Sequence, residues 1–186
     1  MSNLLQSWTK KSFLTHNDLM ELEEYKKDFK IRKGKVFSNK LYGDIRRSEI
    51  RFLDKTKKTE WLYHMIMKNI SKVNEIYWKL NLKKLQTLQY TMYHSKNNGY
   101  YDWHCDIYGN RMIKNKQRKL TGVIFLNDDY EGGELEFNCE GIPQTFKNTE
   151  TGDIVVFPSF WLHRVKPVTK GERKTLVFWV EGEDYK

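Results

Sequence analysis

TGDIVVFPSFWLHRVKPVTKGERKTLVFWVEG, residues 151–182, decides the fold class. It holds three short runs, DIVVFPS (153–159), LHRVKPV (162–168) and RKTLVFWVE (173–181), rich in β-branched and aromatic residues. Turn signals at Thr151-Gly152 and Lys170-Gly171 punctuate them, the pattern of successive β-strands. In RKTLVFWVE the side chains alternate, so Arg173, Thr175, Val177 and Trp179 share one face and Leu176, Phe178 and Val180 the other. Both faces are apolar, which predicts a strand buried on both sides. Arg173 nevertheless begins one of them. A guanidinium pointing into a core needs an anion, from the chain or from a ligand, because an unpaired buried charge is costly.

Working outward, LQTLQYTMY (85–93), LTGVIFLN (120–127) and GELEF (133–137) read as further strands, separated by Asn97-Asn98-Gly99, Asn127-Asp128-Asp129 and Gly132-Gly133. Six or more short strands at this spacing predict a sandwich or jelly-roll barrel. Before residue 85 the texture is helical. Asn17-Asp18 is a candidate cap for a first helix. From Thr59 to Leu80, Leu62, Ile66, Ile70, Val73, Tyr77 and Leu80 recur every three or four positions, an amphipathic helix to be packed on one face of a sheet. The expected organisation is a single domain over 1–186, mostly β with N-terminal helices. Residues 1–84 form a mainly helical support region and 85–182 the core.

The chain of 186 residues is long enough for a sizeable core, and 39% hydrophobic residues with 15% aromatics place it among folded globular proteins. No apolar run is long enough to cross a bilayer. The N-terminus lacks the apolar segment and small-residue cleavage site of a signal peptide, and two cysteines, Cys105 and Cys139, make no disulfide framework. A cytoplasmic protein is the expectation. The net charge of +9 admits a nucleic-acid partner, but the lysines are dispersed rather than gathered in one block, as on an ordinary solvated surface.

YYDWHCDIYGN (100–110) places His104 two residues before Asp106. At a strand end their side chains point the same way and Cys105 the other. Alone, such a pair is commonly a surface hydrogen-bonding pair. His16 and His64 fall in the helical region and His94 beside a loop, which leaves His163 in the PSFWLHRV strand as the candidate third ligand. Two histidines and one carboxylate on one face make the facial triad of non-haem iron(II) sites. Arg173 follows His163 by one predicted hairpin, through the Thr169–Gly171 turn, which brings it back to about one side-chain length from the histidine. There it can hold the far end of a dicarboxylate bidentately while the near end chelates the metal.

His104-x-Asp106, His163 and Arg173, with QYTMYHSKNNGYYDWHCD, LNDDYEGGELEF and the Gly-Asp-x-x-x-Phe-Pro-Ser lead into His163, resemble the iron(II)- and 2-oxoglutarate-dependent dioxygenases. Within them the likeness is to the prolyl 4-hydroxylase-like, PKHD-type branch, over roughly residues 85–182. The resemblance implies a double-stranded β-helix (jelly roll) flanked by helices. His104, Asp106 and His163 would bind Fe(II), and Arg173 would bind the C5 carboxylate of 2-oxoglutarate, assisted by Tyr93 and Thr175. O2 would be the second co-substrate, and ascorbate is a candidate accessory reductant. The chain departs from some relatives at Phe125, where a second tyrosine often meets the co-substrate.

Tyr100, Tyr101, Trp103 and Tyr108 either line a substrate groove or wedge the loop against the barrel. Arg111, Lys114, Lys116, Arg118 and Lys119 form the densest basic cluster, read either as a solvated loop or as a cover over the site; the resemblance puts Arg118 near substrate. The function these readings imply is hydroxylation of a protein or peptide, at proline first. The same chemistry on nucleic acid or a small molecule is the alternative, and a non-catalytic barrel binding nucleic acid or protein is a third.

Overall fold

The computed structural model describes residues 6–25, 45–107, 117–139 and 142–183. Among the described residues two α-helices, α1 (His16–Glu24) and α2 (Glu60–Ile76), accompany fourteen strands: β1 (Trp8–Lys10), β2 (Arg46–Arg47), β3 (Glu49–Leu53), β4 (Leu82–Leu85), β5 (Leu88–His94), β6 (Tyr100–His104), β7 (Gln117–Phe125), β8 (Glu131–Gly132), β9 (Leu135–Cys139), β10 (Ile142–Phe146), β11 (Ile154–Pro158), β12 (His163–Val165), β13 (Val168–Lys170) and β14 (Glu172–Gly182). A seven-stranded sheet runs β1-β11-β7-β14-β5-β3 with β4 beside β14, and a five-stranded sheet runs β10-β9-β12-β6-β2. β13 and β8 form a separate pair. No helix of the described residues is long and apolar enough to cross a membrane.

Side-chain alternation in β14 builds two cores on one sheet. Leu176, Phe178 and Val180 join Leu120, Ile124, Ile154 and Val156 under Leu62, Ile66 and Ile70 of α2. On the other face Val177 joins Tyr93, Val123, Phe125, Val155 and Phe157, which meet Leu135, Phe137 and Val165 of the five-stranded sheet. Phe137 and Phe157 touch edge-on with ring centroids 4.8 Å apart. Gly122 lets the helix-side core close. A Cβ there would sit 2.0 Å from Phe178 Cζ, its neighbour across the β7–β14 ladder.

Two local expectations are corrected. The cap of α1 is Thr15, whose hydroxyl accepts from Asp18 N while the Asp18 carboxylate accepts from Thr15 N, a reciprocal capping box. Helix α2 stops at Ile76, short of Leu80, because Asn74 brackets the Leu80 backbone through both its N and O, and Lys79 turns to φ 52°. Among the described residues before 85, α1 and α2 are accompanied by β1 to β4, two to five residues each, too short and too polar to register as strands without their partners.

The larger correction concerns LHRVKPV. It is two strands, not one, because Pro167 has no N–H for a continuing ladder. β12 pairs with β6 and β9, whereas β13 pairs with β8. β14 lies in the other sheet, between β7 and β5. Arg173 therefore enters the space between the sheets from the wall opposite His163, not across a hairpin from it.

Candidate metal centre

His104 and His163 are cross-strand partners on β6 and β12, with ring centroids 4.1 Å apart. Asp106 follows β6 and is tied down where its N–H donates to Ser159 O at 2.8 Å. The Thr121 hydroxyl donates to Asp106 Oδ2 at 3.0 Å and lies 2.9 Å from Ser159 Oγ. His104 Nε2 stands 3.7 Å from Asp106 Oδ1, and His163 Nε2 3.5 Å from Oδ2. One ligand atom from each of the three residues lies within 4.8 Å of the others.

Both imidazoles carry their proton on the far side. His104 Nδ1 meets the Asp102 carbonyl at 2.7 Å and His163 Nδ1 the Trp161 carbonyl at 2.9 Å. A carbonyl only accepts, so Nδ1–H donates in each ring and the Nε2 lone pairs converge beside Asp106. Burial, then the neighbouring His163, pushes the His104 pKa down to about 3, which keeps that ring neutral. Burial by itself would raise the Asp106 carboxyl. The adjacent His163 and His104 and the more distant Arg118 overcome it and hold the carboxyl well below the ordinary range. Two imidazole nitrogens and one carboxylate leaving a face open suit a divalent iron.

Arg173 is 1% exposed, and its Nε and Nη2 find no hydrogen-bond partner among the described residues. Its guanidinium carbon lies 5.5 Å from the Tyr93 ring centroid and 5.3 Å from that of Phe125. Thr175, two residues along the same face, also keeps a buried hydroxyl without a partner among the described residues. Orphaned donors of this kind are rare and costly in a closed core, and a carboxylate ligand answers both. Room for Arg173 is made by Gly133, where a Cβ would stand 2.8 Å from Arg173 Cδ. Tyr93 is the cross-strand partner of Arg173, and Phe125 that of Thr175. The residues present therefore fit both a facially bound iron and a dicarboxylate.

Trp103 is turned to the outer face, where the Arg164 guanidinium lies 4.6 Å from its ring. Tyr108 and residues 111–116 of the basic cluster lie outside the described residues. Arg118 stacks 3.7 Å over Trp179 and donates from Nε to Gln86 Oε1 at 3.0 Å. It borders a groove of about 840 Å³ that Trp179, Gln86, Tyr63 and Met67 also line and that does not include the triad. Sequence reasoning missed Thr121, Ser159 and Gly133. None was given a role, although Ser159 closes the Gly-Asp-x-x-x-Phe-Pro-Ser lead, Gly133 belongs to the Gly132-Gly133 turn and Thr121 shares a strand face with Val123 and Phe125. Tyr101, grouped there only with the aromatic run, stacks on His104 with centroids 3.5 Å apart and planes 16° apart.

Residues 88–181, half of the chain, match the sequence profile of the 2OG-Fe(II) oxygenase superfamily. The chain belongs to that superfamily. Its members use Fe(II), 2-oxoglutarate and O2, the groups that the triad and the Arg173 pocket fit. A PKHD-type hydroxylase of Colwellia psychrerythraea is 45% identical over 65 residues, 34% of this chain and 29% of that protein. The matched stretch thus spans less than a third of that relative. Among solved structures, a Pseudomonas putida prolyl-4-hydroxylase superposes with TM-score 0.70 at 18% identity, over 96% of this chain and 93% of that one. A Trichoplax adhaerens prolyl hydroxylase, solved with a hypoxia inducible factor peptide fragment, gives 0.73 at 18% identity over 95% and 83%. These likenesses establish the double-stranded β-helix of the oxygenases as the fold.

Proposed function

We propose that the protein is an Fe(II)- and 2-oxoglutarate-dependent dioxygenase that hydroxylates a protein or peptide, at proline. The observation that carries the reading is the pairing of the His104, Asp106 and His163 donor set with a buried, unpartnered Arg173 across one apolar interior. His163 packs 4.9 Å from Phe157, and Arg173 lies beside Tyr93 and Phe125 of the same cluster. The polypeptide substrate rests on likeness: the prolyl hydroxylases share the fold, and one of them was solved with a peptide.

When bound, iron, 2-oxoglutarate and O2 supply the oxidising power, one oxygen atom entering a substrate C–H bond as 2-oxoglutarate becomes succinate and CO2. The protein supplies position. His104 and His163 present Nε2, each ring fixed by its Nδ1–H to a backbone carbonyl. Asp106 presents carboxylate oxygens with Thr121 holding Oδ2. Arg173 and Thr175 offer the donors for the distal carboxylate, and Phe125, Phe157 and Val123 form a dry wall around them.

Anaerobic Fe(II) and 2-oxoglutarate are expected to give a weak visible charge-transfer band. Under air, a proline-containing peptide library should yield succinate and a product heavier by one oxygen atom. A protein that shows neither band nor succinate overturns the reading. Succinate formation stimulated by oligonucleotides and not by peptides would keep the chemistry and replace the substrate.

A further inference from the structure

The His104 side chain reaches the metal centre only because β6 is irregular. Along β12, His163 and Val165 are two residues apart, yet their partners on β6, His104 and Tyr101, are three apart. β6 thus carries one extra residue at Asp102–Trp103, a β-bulge. In a regular strand Tyr101 and His104 would point to opposite faces. With the bulge both point inward and stack. Trp103 is thereby sent to the outer face, and a one-residue slip would exchange Trp103 and His104.

On that outer face a polar chain crosses four neighbouring strands. The Trp103 ring of β6 lies 4.6 Å from the Arg164 guanidinium of β12. Arg164 Nε and Nη2 each stand 2.7 Å from Glu136 Oε2 on β9, its cross-strand partner. Glu136 is 6% exposed and also accepts from the Thr145 hydroxyl of β10 at 3.1 Å. Arg164 adjoins His163 and Trp103 adjoins His104, so this chain lies directly behind the two histidine ligands.

We infer that Arg164, anchored by Glu136, is a positioning residue that acts through Trp103 to hold the β6 bulge and so aim His104 at the metal. The stack of Arg164 on Trp103 exists only in the bulged register, so its free energy is added to that register alone. The inference rests on the proposed metal centre, and its test reads metal binding directly, apart from turnover.

Fe(II) affinity is measured anaerobically from the charge-transfer band at saturating 2-oxoglutarate, and Co(II) affinity from its own absorption without 2-oxoglutarate. Trp103→Leu, which removes the cation–π partner, is expected to weaken both metals about tenfold, the scale of losing a residue that orients a ligand. Trp103→Phe, which keeps a ring for Arg164, should stay within about threefold. The double variant Arg164→Met/Glu136→Gln removes the anchor without stranding a buried charge and should match Trp103→Leu, with the charge-transfer maximum shifted. Equal metal affinity in all variants, or equal loss in Trp103→Phe and Trp103→Leu, overturns the inference. If the unsubstituted protein binds neither metal, the proposed centre itself is what fails.

Discussion

Gly133→Ala tests the co-substrate pocket without replacing any group that would contact a ligand. The new methyl would stand 2.8 Å from Arg173 Cδ and 2.9 Å from Val168 Cγ2, where ordinary contact begins near 3.4 Å. The arginine must yield by roughly the 0.6 Å difference and the buried Val168 by nearly as much. Arg173 has little space to yield into, being 1% exposed with Tyr93 and Phe125 beside it. A shift of that size misaligns a bidentate carboxylate pair and sacrifices one charge-assisted hydrogen bond, about 1.5–3 kcal/mol, or roughly 10- to 100-fold in affinity. The 2-oxoglutarate dissociation constant, titrated through the charge-transfer band, should rise by that factor while Co(II) affinity holds. Alanine at φ +66° also costs about 1–2 kcal/mol of stability, so a control is needed. Gly132→Ala provides it. At φ +73° it meets Pro167 O at 2.5 Å and not Arg173, and should lose stability yet keep 2-oxoglutarate affinity. Unchanged 2-oxoglutarate affinity in Gly133→Ala, or the same loss in both variants, refutes the assignment of Arg173.

Four further outcomes follow from the geometry. Thr121→Val removes the hydroxyl on Asp106 Oδ2 and should weaken Fe(II) binding about tenfold, read from the same band, with 2-oxoglutarate affinity at saturating metal little changed. Arg173→Met should cost roughly 100-fold in 2-oxoglutarate affinity, while thermal denaturation without ligand shows no loss of stability, because an unpaired buried cation is replaced by an apolar chain of similar length. Gly122→Ala drives a methyl into the Phe178 ring and should cost about 1–3 kcal/mol by denaturant titration, with metal affinity intact in the folded fraction. Asp153 holds Lys11 Nζ at 2.8 Å, Ser12 N at 3.0 Å and Glu150 N at 2.8 Å; burial raises its carboxyl, but these donors win and hold it below the ordinary 3.8. A depressed carboxyl gives stability that is full above its unfolded value and lost as pH falls through the folded one. Asp153→Asn should therefore be about 1–3 kcal/mol less stable at pH 7, the gap closing only below about pH 4.

What the sequence made legible was whatever a period of two or 3.6 encodes. The two-faced burial of β14 is written in Arg173, Thr175, Val177 and Trp179 against Leu176, Phe178 and Val180, and both faces proved buried. The grouping of His104, Asp106 and His163 was legible through residue type, because His and Asp carry their chemistry wherever they sit. Register was not. Nothing in YYDWHCD announces the extra residue in β6, so Trp103 read as a site residue while Tyr101, which stacks on His104, did not stand out from its neighbours. Pro167 is a visible break, yet the exchange of partners it permits, from β6 and β9 to β8, depends on contacts far along the chain. The edge strands β1 and β2 failed for the same reason, since three and two residues become strands only beside β11 and β6.

The site and the stability of the protein occupy opposite faces of one sheet, and this division explains how the interior tolerates Arg173. A buried guanidinium without an anion costs several kcal/mol, a large part of the 5–15 kcal/mol typical of a folded domain. An interior built around a single core would have to recover that loss among the same side chains that shape the pocket. Here the helix-side core, with Leu62, Ile66 and Ile70 over Leu176, Phe178 and Val180, is apolar and independent of it. β14 transmits its order through the backbone alone, one side chain up and the next one down. The face between the sheets can then keep unsatisfied donors on Arg173 and Thr175 ready for a ligand, and the binding free energy of that ligand includes the relief of their desolvation. A dicarboxylate in this pocket is accordingly expected to stabilise the fold as well as to serve the chemistry.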